Sequence, residues 1–184
     1  SAGRKKSIIV VSEEFDKLKI LNQNITTIIQ KHPLGTGDAV KTATSLLSDF
    51  EGIVLVCFAD TPFITSRSLK RISKAFKNGT KLVITGFKKI EKNNYGKIIF
   101  SSQNQPNEIV EYKDAERRKI NSDFCNGGIM GIHSSALKHL VKIKRNSLSD
   151  EFYLTDIVKI LSQENKKISF VEINEEEILG INNQ

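Results

Sequence analysis

Short runs of β-branched and aliphatic residues recur along the chain, and amphipathic segments separate them. The runs predict buried strands at Ile8–Val11, Ile25–Ile29, Ile53–Phe58, Leu82–Phe87, Cys125–Ile132 and Ile168–Ile173. Apolar residues three and four positions apart predict helices that begin after Gly35, at a cap formed by Ser66 or Ser68, at Ser134 and at Thr155. Strands that alternate with helices indicate an α/β fold with a mixed, mostly parallel sheet.

The middle of the chain departs from this alternation. Gly96–Phe100 and Glu108–Tyr112 flank a polar stretch that contains Pro106, a pattern that predicts a β-hairpin. No repeat, linker or low-complexity segment divides the sequence, so we predict a single domain over residues 1–184. We expect this domain to be incomplete at its N-terminus. The strand, glycine-rich phosphate loop and helix that usually open a doubly wound fold are not found in the sequence.

Composition narrows the classes of function. Hydrophobic residues make up 39% of the chain, yet no apolar run approaches the ~20 residues that span a membrane. The net charge of +7 comes from scattered lysines without interleaved aromatic residues. We therefore expect a solvated surface that attracts a polyanionic substrate, and no nucleic-acid or membrane partner. Cys57 and Cys125 lie in apolar segments, which favours reduced, buried thiols in a cytoplasmic protein.

A carboxylate follows the most hydrophobic of the predicted strands. Asp60 comes two residues after the segment Ile53–Phe58 and two residues before Pro62. In open α/β sheets, ligands bind at the carboxyl ends of the strands, and a hard carboxylate at that edge can hold Mg²⁺ against a phosphate. The alternative is an aspartate that only caps the turn before Pro62.

A glycine-containing segment opens the first predicted helix. Gly35 permits close approach of the backbone, and the free N–H groups of the helix N-terminus can face a base or a phosphate. Gln30 ends the preceding strand, and its amide can recognise a pyrimidine edge through a paired donor and acceptor. The alternative is that Thr36 or Asp38 merely caps the helix.

Further polar positions interrupt apolar segments in the second half of the chain. Gly96 can bring its backbone N–H near a ligand, and Glu111 can accept hydrogen bonds from sugar hydroxyls or an amide. Asn126, beside two glycines, can contact a sugar, and the amide oxygen of Asn182 can be a second ligand for a hard cation. The alternatives are a wet hairpin face for Glu111, a glycine bulge at Asn126, a helix cap for Thr155 and a frayed tail at Asn182.

The order of these motifs is distinctive. Over roughly residues 8–184, the chain resembles the uridylyltransferase domain of the bacterial N-acetylglucosamine-1-phosphate uridylyltransferases. The resemblance rests on Gln30, Leu34-Gly35-Thr36, Ala59-Asp60-Thr61-Pro62, Tyr95-Gly96, the segment 110–115, Asn126-Gly127-Gly128, the segment 153–156 and Gly180-Ile181-Asn182. It implies the Rossmann-like fold of the nucleotide-diphospho-sugar transferases.

The resemblance also implies a reaction. UTP and N-acetylglucosamine 1-phosphate would give UDP-N-acetylglucosamine and pyrophosphate with Mg²⁺, in the cytoplasm, for peptidoglycan and lipopolysaccharide synthesis. Gln30 would contact uracil, with Gly35 and Thr36 beside the base, and Asp60 and Asn182 would hold Mg²⁺. The remaining substrate-binding residues would be Phe58, Gly96, Glu111, Asn126 and Thr155. A homo-oligomer is compatible with this assignment.

The sequence departs from the family pattern in several places. The family has a loop Gly-x-Gly-Thr-Arg-Met followed by a Lys, whose cations neutralise the triphosphate, and this chain has neither. We therefore expect the chain alone to be nearly inactive. Ala59 stands where the family has glycine, Phe58 where it often has tyrosine, and acetyltransferase repeats are absent. Two alternatives stay open: a related nucleotidyltransferase with another base or sugar, and a non-catalytic sugar-nucleotide-binding remnant.

Overall fold

The computed structural model describes residues 6–15, 25–89, 91 and 93–179. The chain divides into two compact units, the first formed by residues 1–50 and 140–154 and the second by residues 51–139 and 155–184. The single domain expected from the sequence stays a prediction.

Strands and helices alternate through most of the described chain. In order, they are β1 (Ser7–Val11), β2 (Ile25–Ile29), α1 (Thr36–Thr44), β3 (Ile53–Val56), α2 (Ser66–Lys74), β4 (Leu82–Lys88), β5 (Lys97–Phe100), β6 (Pro106–Val110), α3 (Tyr112–Arg117), β7 (Phe124–His133), a 3₁₀-helix (Ser134–Lys142), α4 (Asp156–Gln163), β8 (Ile168–Glu172) and a second 3₁₀-helix (Glu175–Ile178).

The first unit contains a parallel pair of strands, β1 and β2, against which α1 packs. Gly35 precedes α1 with a φ of +100°, a region that L side chains rarely adopt. A Cβ on Gly35 would lie 2.7 Å from the carbonyl oxygen of Phe152. The N–H of Gly37 donates to that same oxygen at 2.8 Å. The glycines therefore let the start of α1 approach the backbone of residues 151–154.

The second unit is built around β7, the long central strand of a mixed sheet. Antiparallel β4 covers one edge of β7, and β8 pairs with β4 in parallel. The opposite edge of β7 is shared, because β3 pairs with residues 130–133 and β5 pairs at Cys125. The strand β6 completes an antiparallel hairpin with β5. The α/β class and the mixed sheet predicted from the sequence are confirmed.

Apolar side chains from both faces of β4 and from α2 form the core of this unit. A fully buried cluster joins Ile72, Val83, Phe87, Cys125 and Ile129. Burying a side chain of this size stabilises a fold by about 1.5–3 kcal/mol. The core therefore fixes the strands whose ends surround the candidate site.

Several local predictions were wrong. The cap of α2 is Thr65, not Ser66 or Ser68, and its hydroxyl accepts the N–H of Ser68 at 3.1 Å. Tyr112 does not end a strand but begins α3. Cys125 is buried as predicted, whereas Cys57 is exposed because it lies just beyond the last paired residue of β3.

In the part of the chain that the structure describes, no helix has the length and hydrophobicity to cross a membrane.

Candidate active site

Two strands share one edge of β7 and leave a gap between them. The strand β3 pairs as far as Val56 opposite Met130, and β5 pairs at Lys97 opposite Cys125. Residues 127–129 of β7 have no strand partner on this edge in the described structure. In open α/β sheets, ligands bind outside the carboxyl ends of the strands, and β3 reaches its carboxyl end at this gap. The gap is therefore the candidate ligand-binding site of the second unit.

The chain that leaves β3 borders this gap. The ring of Phe58 lies against Gly128, where an added Cβ would be 3.1 Å from Phe58 Cε2. This contact lies two residues beyond the last β3–β7 pair, Val56 and Met130. Asp60 is exposed in a turn. In the described structure its carboxylate has no hydrogen-bond partner, so it does not cap the turn, which Thr61 closes instead by donating to the carbonyl of Phe58.

Three of the predicted sugar-pocket residues lie together on the other side of the gap. The N–H of Asn126 donates to the carbonyl of Gly96 at 2.8 Å. A Cβ on Gly96 would lie 3.2 Å from the carbonyl oxygen of Val110 and 3.4 Å from Glu111 Oε2, so Gly96 lies beside that carboxylate. Asn126 Oδ1 accepts the N–H of Gly128 at 3.0 Å, and this bond fixes the orientation of the amide. Gly128 has a φ of +74°, and the β4–β7 register shifts here, as expected for a glycine bulge.

Glu111 meets the start of α4. The hydroxyl of Thr155 donates to Glu111 Oε1 at 2.7 Å. Thr155 is the cap residue of α4, but its side chain makes no capping bond, so its hydroxyl serves Glu111 and not the helix. Glu111 directly precedes α3 and is half-buried. It therefore does not lie on a solvent-exposed face of the hairpin, which was the alternative prediction. The structure thus brings Gly96, Glu111, Asn126 and Thr155 together.

Ion pairs centred on Glu108, which we call the Glu108 clamp, connect the elements that carry these residues. Arg118 donates two hydrogen bonds to Glu108, at 2.9 and 3.0 Å, and Lys159 of α4 donates a third at 3.1 Å. The hydrogen bond from Arg118, reinforced by Lys159, lowers the pKa of Glu108 despite partial burial. The Glu108 clamp holds β6, α3 and α4 together.

Asp156, the first residue of α4, lies near the negative charge of Glu111. Burial, followed by the negative charge of Glu111, raises the pKa of Asp156 above its usual value. A carboxyl group with a raised pKa binds its proton more tightly in the folded chain than in the unfolded chain. Stability therefore falls as the pH rises through the pKa of Asp156 in the folded protein.

The substitution Asp156→Asn should raise the melting temperature at pH 7 by about 1–2 °C, because it removes this unfavourable charge. Below about pH 3 the gain should vanish, since Asp156 is then largely protonated in the unfolded as well as the folded chain. Thermal unfolding between about pH 3 and pH 8 measures the effect, with Asp123→Asn at an exposed site as the control. A gain that is the same at every pH would contradict the electrostatic explanation.

The predicted base-binding residues lie in the first unit. Gln30 Nε2 donates to Asp38 Oδ2 at 2.7 Å and to the carbonyl of Gly35 at 3.3 Å. Thr36 Oγ1 accepts the N–H of Leu154 at 3.1 Å. Neither Thr36 nor Asp38 caps α1, since the cap residue is Gly35. From the sequence, Asp38 was expected only as an alternative helix cap. Its role as the partner that orients the amide of Gln30 was missed.

The chemistry of Asp60 fits a divalent cation. Its carboxylate is exposed and has no partner among the residues that the structure describes. Mg²⁺ usually takes one or two carboxylates and completes its shell with water and substrate phosphates. Asn182, the other predicted ligand, lies outside the described residues. Within those residues, no cluster of three or more His, Cys, Asp or Glu side chains could enclose a metal ion.

Comparison with known proteins gives a consistent result. The model of the nucleotidyl transferase family matches residues 4–176. The chain is 36% identical to the bifunctional protein GlmU of Bartonella bacilliformis over 181 residues, which are 96% of this chain and 40% of that protein. It is 32% identical to the GlmU protein of a Ruegeria species, with 97% and 40% covered. The chain thus spans about two fifths of the length of these relatives. It belongs to the nucleotidyl transferase family.

Proposed function

We propose that the chain provides a uridylyltransferase site that joins UTP to N-acetylglucosamine 1-phosphate, forming UDP-N-acetylglucosamine and releasing pyrophosphate. The strongest support is the position of four residues that the family resemblance predicts to bind the sugar phosphate. They lie together on one side of the gap in the sheet: Gly96, Glu111, Asn126 and Thr155. Membership of the nucleotidyl transferase family supports the same class of reaction.

The pocket around Glu111 suits a neutral sugar. Thr155 donates to Glu111 Oε1 and so orients this carboxylate, and carboxylate oxygens accept hydrogen bonds from donors such as hydroxyl groups and an acetamido N–H. The N–H of Gly128 donates to Asn126 Oδ1, so the group of this amide that we expect to contact the sugar is its Nδ2 donor. The acidic surroundings of Asp156 disfavour a phosphate at this point and favour sugar hydroxyl groups.

The reaction needs no protein nucleophile. In the proposed reaction, a phosphate oxygen of the sugar phosphate attacks the α-phosphorus of UTP in line, and pyrophosphate leaves. The protein contributes alignment of the two substrates, which can replace a large part of the entropic barrier. Asp60, with Asn182, would hold Mg²⁺, which neutralises charge on the phosphates when it is bound.

The orientation of Gln30 gives a prediction about the base. Both N–H bonds of its amide point to Asp38 and Gly35, so Oε1 is the group left to accept a donor such as uracil N3–H. Cytosine presents an acceptor at N3 and would be rejected. Gln30→Ala should therefore lower the preference for UTP over CTP, measured as the ratio of kcat/KM values, by about tenfold to a hundredfold.

The control for that prediction is Gln105→Ala, at an exposed turn. Asp38→Asn should act like Gln30→Ala, because an asparagine can also donate and no longer fixes the amide of Gln30. An unchanged ratio in both variants would exclude Gln30 as the base-recognising residue.

A pyrophosphate-release assay on the intact protein tests the proposal, with UTP and a panel of sugar 1-phosphates. We expect N-acetylglucosamine 1-phosphate to give the highest kcat/KM. No release with any pair of substrates would refute the proposal. The 184 residues alone lack a glycine-rich phosphate loop, so we expect them to react only slowly.

A further inference from the structure

A buried carboxylate joins two segments of the second unit that are far apart in sequence. Glu177 lies in the 3₁₀-helix Glu175–Ile178 and is only 9% exposed. Its Oε2 accepts the backbone N–H of Thr65 at 3.0 Å and the Thr65 hydroxyl at 2.8 Å. Its Oε1 accepts the hydroxyl of Ser68 at 2.9 Å. Both carboxylate oxygens are therefore bound to the start of α2.

These bonds fix the N-terminus of α2. The single hydroxyl proton of Thr65 goes to Glu177, which leaves a Thr65 lone pair for the N–H of Ser68 at 3.1 Å. The carboxylate also lies at the positive end of the helix dipole. Burial alone would raise the pKa of Glu177, but the hydrogen bonds from Thr65 and Ser68 outweigh it and lower the pKa. Glu177 is therefore ionised at neutral pH and holds its three donors firmly.

The anchored point stands close to Asp60 in the chain. Only four residues, Thr61–Ile64, connect Asp60 to Thr65. At the other end, the Asp60 turn is closed on the carbonyl of Phe58. The turn that presents the exposed carboxylate is thus held at both ends, and the downstream end depends on Glu177.

We propose that Glu177 is a positioning residue that holds the Asp60 turn in the geometry that binds the divalent cation of the nucleotide complex. The inference rests on the proposed function. A carboxylate on a loosely held turn loses conformational freedom when it binds a cation, so anchoring the turn beforehand strengthens binding. Mutation of residues that orient the metal ligands without contacting the metal commonly weakens metal binding by about 10- to 100-fold.

The test measures metal binding directly as well as turnover. Mn²⁺ replaces Mg²⁺ in the intact protein with UTP, and the electron paramagnetic resonance signal of free Mn²⁺ gives the dissociation constant. Glu177→Gln should raise this constant about tenfold, and should raise the Mg²⁺ concentration for half-maximal rate equally. The kcat at saturating Mg²⁺ and the KM for the sugar phosphate should change little. Glu176→Gln, at the exposed neighbour, should change none of these.

A purely structural role predicts a different result. Metal affinity that is unchanged in Glu177→Gln, even with a lower melting temperature, would overturn the inference. Ser68→Ala removes one of the three bonds and decides the question in the same way if Glu177→Gln does not fold. Asp60→Asn separates the two proposals: if it leaves the Mg²⁺ dependence intact, the metal assignment in the proposed function fails. If Asp60→Asn abolishes that dependence while Glu177→Gln leaves it unchanged, only the role of Glu177 fails.

Discussion

Asp60→Ala should lower the rate of Mg²⁺-dependent pyrophosphate release by about a thousandfold or more, with little effect on folding. The loss follows from removing the described carboxylate that fits the cation, a contribution worth several kcal/mol in the transition state. Stability should change by no more than about 0.5 kcal/mol, because Asp60 is exposed and its carboxylate has no hydrogen-bond partner in the described structure. Pyrophosphate release and thermal unfolding of the same preparations measure the two effects.

Asp123→Ala is the matched control, since Asp123 is an exposed aspartate of the same unit, precedes β7 and is not among the predicted site residues. It should leave both the rate and the melting temperature near those of the parent protein. Activity retained in Asp60→Ala would remove Asp60 from the site. Activity lost together with the fold would show that the turn has a structural role that its hydrogen bonds do not reveal.

Gly86→Ala should destabilise the protein by about 3 kcal/mol, a fall of about 6–12 °C in melting temperature. A Cβ on Gly86 would lie 2.5 Å from Ile98 Cδ1, 2.6 Å from the carbonyl oxygen of Cys125 and 2.8 Å from Phe170 Cε2. The oxygen of Cys125 belongs to the paired backbone of β7 and cannot move without disturbing the β4–β7 ladder. Chemical or thermal unfolding measures the loss.

Gly79→Ala separates this steric effect from backbone strain. Nothing lies within 4 Å of a Cβ on Gly79, but its φ is +80°, so alanine should cost only about 1 kcal/mol. If the two substitutions had equal effects, the close packing at Gly86 would not be the cause. Because Gly86 pairs with Asn126, we also expect Gly86→Ala to weaken sugar-phosphate binding.

The sequence alone determined the local elements. The predicted strands lie within two residues of those observed, because a buried strand needs a run of apolar, β-branched residues and such a run is visible in the sequence. The helix after Gly35 was found for a similar reason. Caps were harder: Thr65 and the adjacent serines are all good capping residues, and only the packed structure selects Thr65. The whole of α3 was missed, because it is short and the apolar pattern of β6 runs directly into it.

The resemblance supplied the names of site residues but not their geometry. It could not show that Thr155 donates to Glu111, 44 positions away, or that Asp38 orients Gln30. Asp156 and Glu177 had no signal in the sequence that distinguishes them from other acidic residues. The properties of Asp156 arise from burial and the nearby charge of Glu111, and those of Glu177 arise from burial and the hydrogen bonds that it accepts from Thr65 and Ser68.

The sequence therefore determined where the strands and all of the described helices except α3 and the short 3₁₀-helix Glu175–Ile178 form, and which family the chain resembles. The tertiary structure decided that β3 and β5 share one edge of β7, and that Gly96, Glu111, Asn126 and Thr155 border the gap between them. The physical reason is the distance along the chain over which each kind of interaction acts. Periodicity and capping act over a few residues, so they are visible in any short stretch of sequence. Strand pairing and side-chain hydrogen bonds join positions tens of residues apart, and they exist only once the chain has folded.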